Sequence, residues 1–219
     1  MVFDLDDTLY PERDFAVSAF GAAAEWARTA LGVAGLADDM TKLLDDGHLG
    51  RLFTLVLERR GIDPVHGADL IEAYRQHEPM QLDLYPDAEL ALSHFYGLGP
   101  LGLITDGTPA VQRAKVRALG IANRFHHIVY THELGGRDFA KPHASSFEAM
   151  RAAVGEPGDR FVYIGDNPSK DFVSPNRMGW TTVQVMRPQR IHANAKTAVG
   201  GAAHHVVASL EALPELLKV

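Results

Sequence analysis

Apolar positions along this chain fall into two rhythms. Val2-Phe3 runs directly into the polar stretch Asp4-Leu5-Asp6-Asp7-Thr8, which reads as the end of a buried strand followed by a loop. Only three residues precede Asp4, short for a central strand, so its start is expected to be trimmed or assigned late. Next, Phe15, Ala19, Ala22, Trp26 and Ala30 recur at helical spacing, predicting a helix over 14–31 with Asp14 as its cap. Leu49, Leu52, Phe53 and Val56 predict a second helix over 49–60, stopped by Gly61, and 66–78 is a third helical stretch. About 70 residues after the first strand therefore read as helical, with no convincing strand among them.

From Tyr85 the rhythm changes. Helices are expected at about 86–95, 109–119, 144–154, 169–178 and 209–217, with apolar strand runs at 101–104, 127–130, 161–164, 181–185 and 206–207. Strands alternating with helices imply parallel βαβ units. The expected architecture is an α/β fold, a doubly wound parallel sheet with a Rossmann-like core. The helical insertion divides the chain into a core of 1–13 and 84–219 and an inserted piece of 14–83. The stretch 186–204, rich in Ala, Gly, His and Arg, gives no clear pattern.

In such a sheet, sites form beyond the carboxyl ends of the strands. The polar residues there are Asp4 and Asp6, then Thr105-Asp106-Gly107, then Asp166, with Lys141 in a loop at the corresponding end and Asp171 five residues beyond Asp166. Residues two apart in extended chain face the same way, so Asp4 and Asp6 are expected to share a site. Clustered carboxylates repel, and a hard divalent cation, most simply Mg²⁺, relieves that cost; Asp166 makes a third anchor. Lys141 with the cation would neutralise a phosphate dianion. Thr105 and the backbone N–H groups near Gly107 would hold its other oxygens. Each piece alone is a common turn or cap. Their order, each at a strand end, is what argues for a site.

These motifs resemble those of the haloacid dehalogenase-like (HAD) hydrolase superfamily. Phe3-Asp4-Leu5-Asp6-Asp7-Thr8-Leu9 is similar to its first motif, Thr105 to the hydroxyl of the second, Lys141 to the lysine of the third, and Gly165-Asp166 with Asp171 to the fourth. The resemblance implies that Asp4 is the nucleophile and Asp6 the general acid/base. Thr105, Asp106, Gly107 and Lys141 would bind phosphate. Asp4, Asp166 and the backbone carbonyl of Asp6 would hold Mg²⁺, with Asp171 and Asn167 behind them. It also implies that 14–83 is a helical cap. Dehalogenase members lack the second aspartate, because halide leaves without a proton, so Asp6 favours transfer of a phosphoryl group to water.

Composition narrows the partners. Lys and Arg number 21 against 28 Asp and Glu, a net charge of −7, which disfavours nucleic acid. There is no cysteine, which removes disulfides, thiolate catalysis and iron–sulfur clusters. No apolar run approaches a membrane span, and the acidic start is unlike a secretory signal, so a cytoplasmic protein is expected. The expected activity is a Mg²⁺-dependent phosphatase acting on a small phosphorylated metabolite through an aspartyl-phosphate. The alternatives are a nucleotidase or a sugar-phosphate mutase of the same superfamily, or a non-catalytic receiver-like phosphoacceptor domain. The last fits poorly, since it needs about half this length.

Overall fold

A computed structural model describes residues 1–155 and 160–218. The chain divides into two compact units, one of residues 1–12 and 83–219 and one of residues 13–82.

The first unit is built on a six-stranded sheet: β1 (Val2–Phe3), β2 (Gly102–Thr105), β3 (His127–Tyr130), β4 (Val162–Gly165), β5 (Thr181–Val185) and β6 (His205–Val207). Every pairing is parallel and the spatial order is β3-β2-β1-β4-β5-β6. β1 is only two residues long, yet it lies at the centre, between β2 and β4. Such a short strand holds because both neighbours bond it and both its side chains are fully buried. The chain order reverses across β1, so the carboxyl ends of β1, β2 and β4 stand side by side.

Helices α5 (Pro86–Tyr96), α6 (Pro109–Ala118) and α7 (Ser145–Val154) belong to this unit, with the shorter α8 (Val173–Arg177) and α9 (Leu213–Leu217). Proline occupies the first turn of α5, α6 and α9, where its missing N–H costs nothing. Val2, Ile104, Val129, Phe147, Met150, Tyr163, Phe172 and Trp180 form one buried apolar cluster. The helix expected over 169–178 is confined to Val173–Arg177, because residues 167–171 form a turn in which the Asp171 N–H bonds the Asn167 carbonyl.

The second unit carries α1 (Glu12–Leu31, entering from the first unit), α2 (Leu36–Asp45), α3 (Leu52–Arg59) and α4 (Gly67–Arg75). Its core joins Ala16, Phe20, Ala23 and Ala27 to Leu36, Met40, Leu43, Leu52, Val56, Leu57 and Leu70. The stripe expected at Ala22, Trp26 and Ala30 is therefore rotated. Ala30 is exposed and Trp26 only partly buried, because an alanine-rich helix offers more than one apolar face. α1 begins before Asp14, and its capping oxygen comes from Asp7, whose Oδ1 accepts the Glu12 N–H at 3.0 Å. α2 has no counterpart in the expected elements; it is short, with acidic Asp38 and Asp39 in its first turn. Among the described residues, no helix is long and apolar enough to cross a membrane.

Candidate active site

Asp4 follows the last residue of β1, and its N–H continues the ladder to the Ile164 carbonyl at 2.8 Å. Its side chain is buried, and its Oδ1 accepts a bond from Lys141 Nζ at 2.6 Å. Lys141 also lies 2.8 Å from Asp171 Oδ1 and donates to the Tyr163 hydroxyl at 3.0 Å, with its side chain fully buried. Burying an ammonium this deeply is tolerated only where anions satisfy it, and here Asp4, Asp171 and Asp106 raise its pKa against the opposing effect of burial.

One oxygen from each of Asp4, Asp166 and Asp171 lies within 4.8 Å of the others. Burial pushes Asp4 up to about 7, against the pull of Lys141. Burial, then the charges of Asp171 and Asp4, push Asp166 up to about 9. Asp166 Oδ2 is buried and has no hydrogen-bond partner among the described residues. An all-oxygen donor set with an orphaned carboxylate oxygen fits a hard divalent cation, whose charge would reverse both shifts.

Asp171 reaches the group because Gly165 has no side chain. A Cβ there would meet Asp171 Oδ2 at 2.7 Å. Asp171 Oδ2 accepts the Asn167 N–H at 2.8 Å, and Asn167 Oδ1 in turn accepts from the Ser169 N–H and hydroxyl. Asn167 thus shapes the turn that carries Asp171.

Asp6 has its own set of partners. Its carboxylate lies outside the three-carboxylate group. Residues 4–6 are not in a strand, so the two-residue alternation that would align Asp6 with Asp4 does not apply. Instead Asp6 Oδ1 accepts from the Tyr10 hydroxyl at 2.6 Å and Lys115 Nζ at 2.7 Å, and Oδ2 accepts from Gln112 Nε2 at 2.8 Å. Burial would raise this carboxyl, but Lys115 and the three hydrogen bonds outweigh it and hold it below its ordinary value. Gln112 Nε2 also donates to Thr105 Oγ1, linking the first and second motifs.

Asp106 has its acceptors taken. Oδ1 receives the Thr131 hydroxyl at 2.9 Å and the Lys141 N–H at 3.0 Å, and Oδ2 receives Lys170 Nζ at 2.9 Å. Burial opposes its ionisation, but Lys141 and Lys170 hold it at about 2. It orients the Lys141 loop, and as an anion it is unsuited to meet a phosphate oxygen with its side chain. Gly107 adopts φ +126°, which strains any other residue, and so turns the backbone at the end of β2.

Gln112, Lys115, Tyr163 and Lys170 belong to this site and were not expected in it. Gln112 and Lys115 had a signal: at i and i+3 they interrupt the apolar stripe of α6, flanking Ala114. Tyr163 reads in sequence as an ordinary strand aromatic, and Lys170 as a polar residue of the helix expected over 169–178.

Known proteins resemble this chain in sequence and in fold. The haloacid dehalogenase-like hydrolase family matches residues 1–179. A glyceraldehyde 3-phosphate phosphatase of Methanopyrus kandleri is 32% identical over 202 residues, covering 85% of this chain and 83% of that protein. A phosphoserine phosphatase of Thermus thermophilus is 32% identical over 154 residues, covering 68% of this chain and 60% of its own. Among solved structures, the putative HAD-hydrolase YfnB of Bacillus subtilis, determined with magnesium bound, superposes with a TM-score of 0.69 at 20% identity, covering 100% of this chain and 97% of that one. With a family match spanning most of the sequence and a relative 32% identical over 85% of it, the chain belongs to the haloacid dehalogenase-like hydrolase family.

Proposed function

We propose that this protein is a phosphoric monoester hydrolase acting on a small phosphorylated metabolite through a phosphoryl group carried on Asp4. The observation that carries this reading is the Asp4 carboxylate bonded by the Lys141 ammonium and grouped within 4.8 Å of Asp166, a buried carboxylate with one orphaned oxygen.

Asp4 and Asp166, with the Asp6 backbone carbonyl, would hold Mg²⁺, which when bound neutralises charge on Asp4 and the phosphate. In the first step an Asp4 oxygen attacks phosphorus. The bond to the ester oxygen breaks, and that oxygen takes the electron pair and a proton that Asp6, ionised in the free protein, has first accepted from the phosphate monoanion. In the second step a water oxygen attacks phosphorus, its proton passes to Asp6, and the bond to Asp4 breaks to restore the carboxylate. Lys141 stays ionised throughout and offsets the phosphate charge. Thr105 accepts from Gln112, which leaves its own proton for a phosphate oxygen. The Gly107 turn offers backbone N–H groups to the same oxygens.

Asp6 supports phosphoryl transfer over dehalogenation, since a departing halide needs no proton. Glyceraldehyde 3-phosphate and phosphoserine, the substrates in the names of two relatives, are both three-carbon phosphate esters. That makes short primary-alcohol phosphates the first class to try here. The unit of residues 13–82 is assigned the role of a cap that selects among them.

The test is release of inorganic phosphate in the presence of Mg²⁺ from glyceraldehyde 3-phosphate, phosphoserine, a nucleoside 5′-phosphate and p-nitrophenyl phosphate. Turnover of at least one ester, with a hydroxylamine-labile phosphate adduct that is lost in Asp4→Asn, supports the reading. No release from any of them, and no adduct, overturns it.

A further inference from the structure

We propose that Lys115, with Gln112 and Tyr10, is a positioning device that fixes the Asp6 carboxylate as the base for hydrolysis of the aspartyl-phosphate. The inference rests on the two-step reading above and adds residues to it.

Asp6 sits in a loop where no sheet ladder fixes its backbone; its pairing is a single isolated bridge to Tyr10. Its side chain therefore has to be oriented by other side chains. Lys115 and Tyr10 take one carboxylate oxygen, at 2.7 and 2.6 Å, and Gln112 takes the other at 2.8 Å. With donors on both oxygens, the carboxylate cannot rotate without breaking a bond.

Lys115 is on α6, and its side chain is 5% exposed, on the face where a helix normally places apolar residues. It reaches Asp6 across 109 residues of sequence. Glu12 Oε1 lies 3.9 Å from the same ammonium. A buried lysine held within hydrogen-bond reach of a carboxylate of the reaction centre is an expensive arrangement if packing is its whole purpose. Gln112 bridges Asp6 and Thr105, so the base and the phosphate-binding hydroxyl share one donor.

The step that depends on this cradle is the second one. The water oxygen bonds to phosphorus as its proton moves to Asp6; the bond from phosphorus to Asp4 breaks, and its electron pair returns to the Asp4 carboxylate. Formation of the adduct from an aryl phosphate with an acidic phenol needs no proton from Asp6. Impaired positioning should therefore slow decay of the adduct while an initial phenol burst persists.

The experiment mixes the Mg²⁺-loaded protein rapidly with p-nitrophenyl phosphate and follows phenol and the phosphoenzyme. Lys115→Met is expected to retain a burst and to slow first-order decay of the phosphoenzyme by about 10²-fold, the usual cost of misplacing a catalytic group. Tyr10→Phe, a smaller change that covers the case where Lys115→Met does not fold, is expected to slow decay by about 3–10-fold. The decay constant is read per phosphoenzyme formed, so a reduced folded fraction leaves it unmoved. In the Asp6→Asn background, Lys115→Met should add little further slowing, because both act on one group. Decay at the parent rate in Lys115→Met, or in Tyr10→Phe where that variant alone is obtained, overturns the proposal. So does equal slowing by Lys115→Met with and without Asp6. If Asp6→Asn itself leaves decay unchanged, or the parent forms no phosphoenzyme, the fault lies in the roles given to Asp6 and Asp4, and the positioning role falls with them.

Discussion

The Lys141 ammonium lies 2.6 Å from Asp4 Oδ1, although 137 residues separate them in the chain. It faces Asp171 as well, so one cation answers two buried carboxylates. Lys141→Met should lower phosphate release by roughly 10³-fold, as loss of a preorganised charge does. Lys141→Arg should fail almost as fully, because a planar guanidinium does not fit a pocket shaped for a compact ammonium. More than a tenth of the parent rate in Lys141→Arg would show that charge alone suffices. Thermal melting of each variant separates loss of chemistry from loss of fold.

A chelator in excess should abolish phosphate release, and Mg²⁺ should restore it. Ca²⁺ should bind yet support little turnover, since its larger and looser shell misplaces the phosphate. Asp166→Asn should raise the Mg²⁺ concentration needed for half-maximal rate. Full activity in excess chelator refutes Asp166 as a metal ligand.

The two neighbouring aspartates should part company kinetically. Asp4→Asn removes the nucleophile and should end turnover. Asp6→Asn should still give a burst of about one phenol per site from p-nitrophenyl phosphate, followed by a phase slowed on the order of 10²–10⁴-fold. On alkyl phosphates, whose leaving oxygen needs a proton, it should give almost no reaction. Rapid-mixing kinetics and intact mass for the phosphate adduct check both halves.

Asp87 gives a prediction about stability away from the reaction centre. Its Oδ2 accepts from Arg187 at 2.7 Å, the Ser209 hydroxyl at 2.8 Å and the Leu210 N–H at 2.8 Å, and Arg187 also donates to the Thr8 carbonyl. Burial would raise the Asp87 carboxyl, but Arg187 and the other donors hold it below 3.8. On acidification the unfolded chain therefore takes up this proton first. The contribution of Asp87 is fully present above about pH 3.8 and is lost as pH falls through the lowered folded value. Asp87→Asn should cost about 3 kcal/mol near neutrality, because it leaves Arg187 buried without its anion. It should also flatten the loss of stability below pH 4; urea unfolding across pH 2–7 would show an unchanged slope if the pair contributes nothing.

The sequence by itself determined the layered αβ order, the family and the motif residues at the strand ends, because strand and helix periods are local and the motif spacings are fixed by chain connectivity. It passed over α2, although Leu36, Met40 and Leu43 recur at helical spacing and are buried, because ten residues give fewer than three turns of periodicity to read. It could not give the partners of Asp6, because residues 4–6 form a loop to which period-two alternation does not apply, and two of its three donors, Gln112 and Lys115, lie more than 100 residues away. Gln112, Lys115, Tyr163 and Lys170 join the site only through parallel pairing of strands far apart in sequence. Burial then turns their polar groups from solvated ones into partners of the site's side chains. Which aspartate meets Lys141 and which meets Lys115 is decided by that packing, since a buried ion is stable only against the counter-ion the fold sets within hydrogen-bond reach.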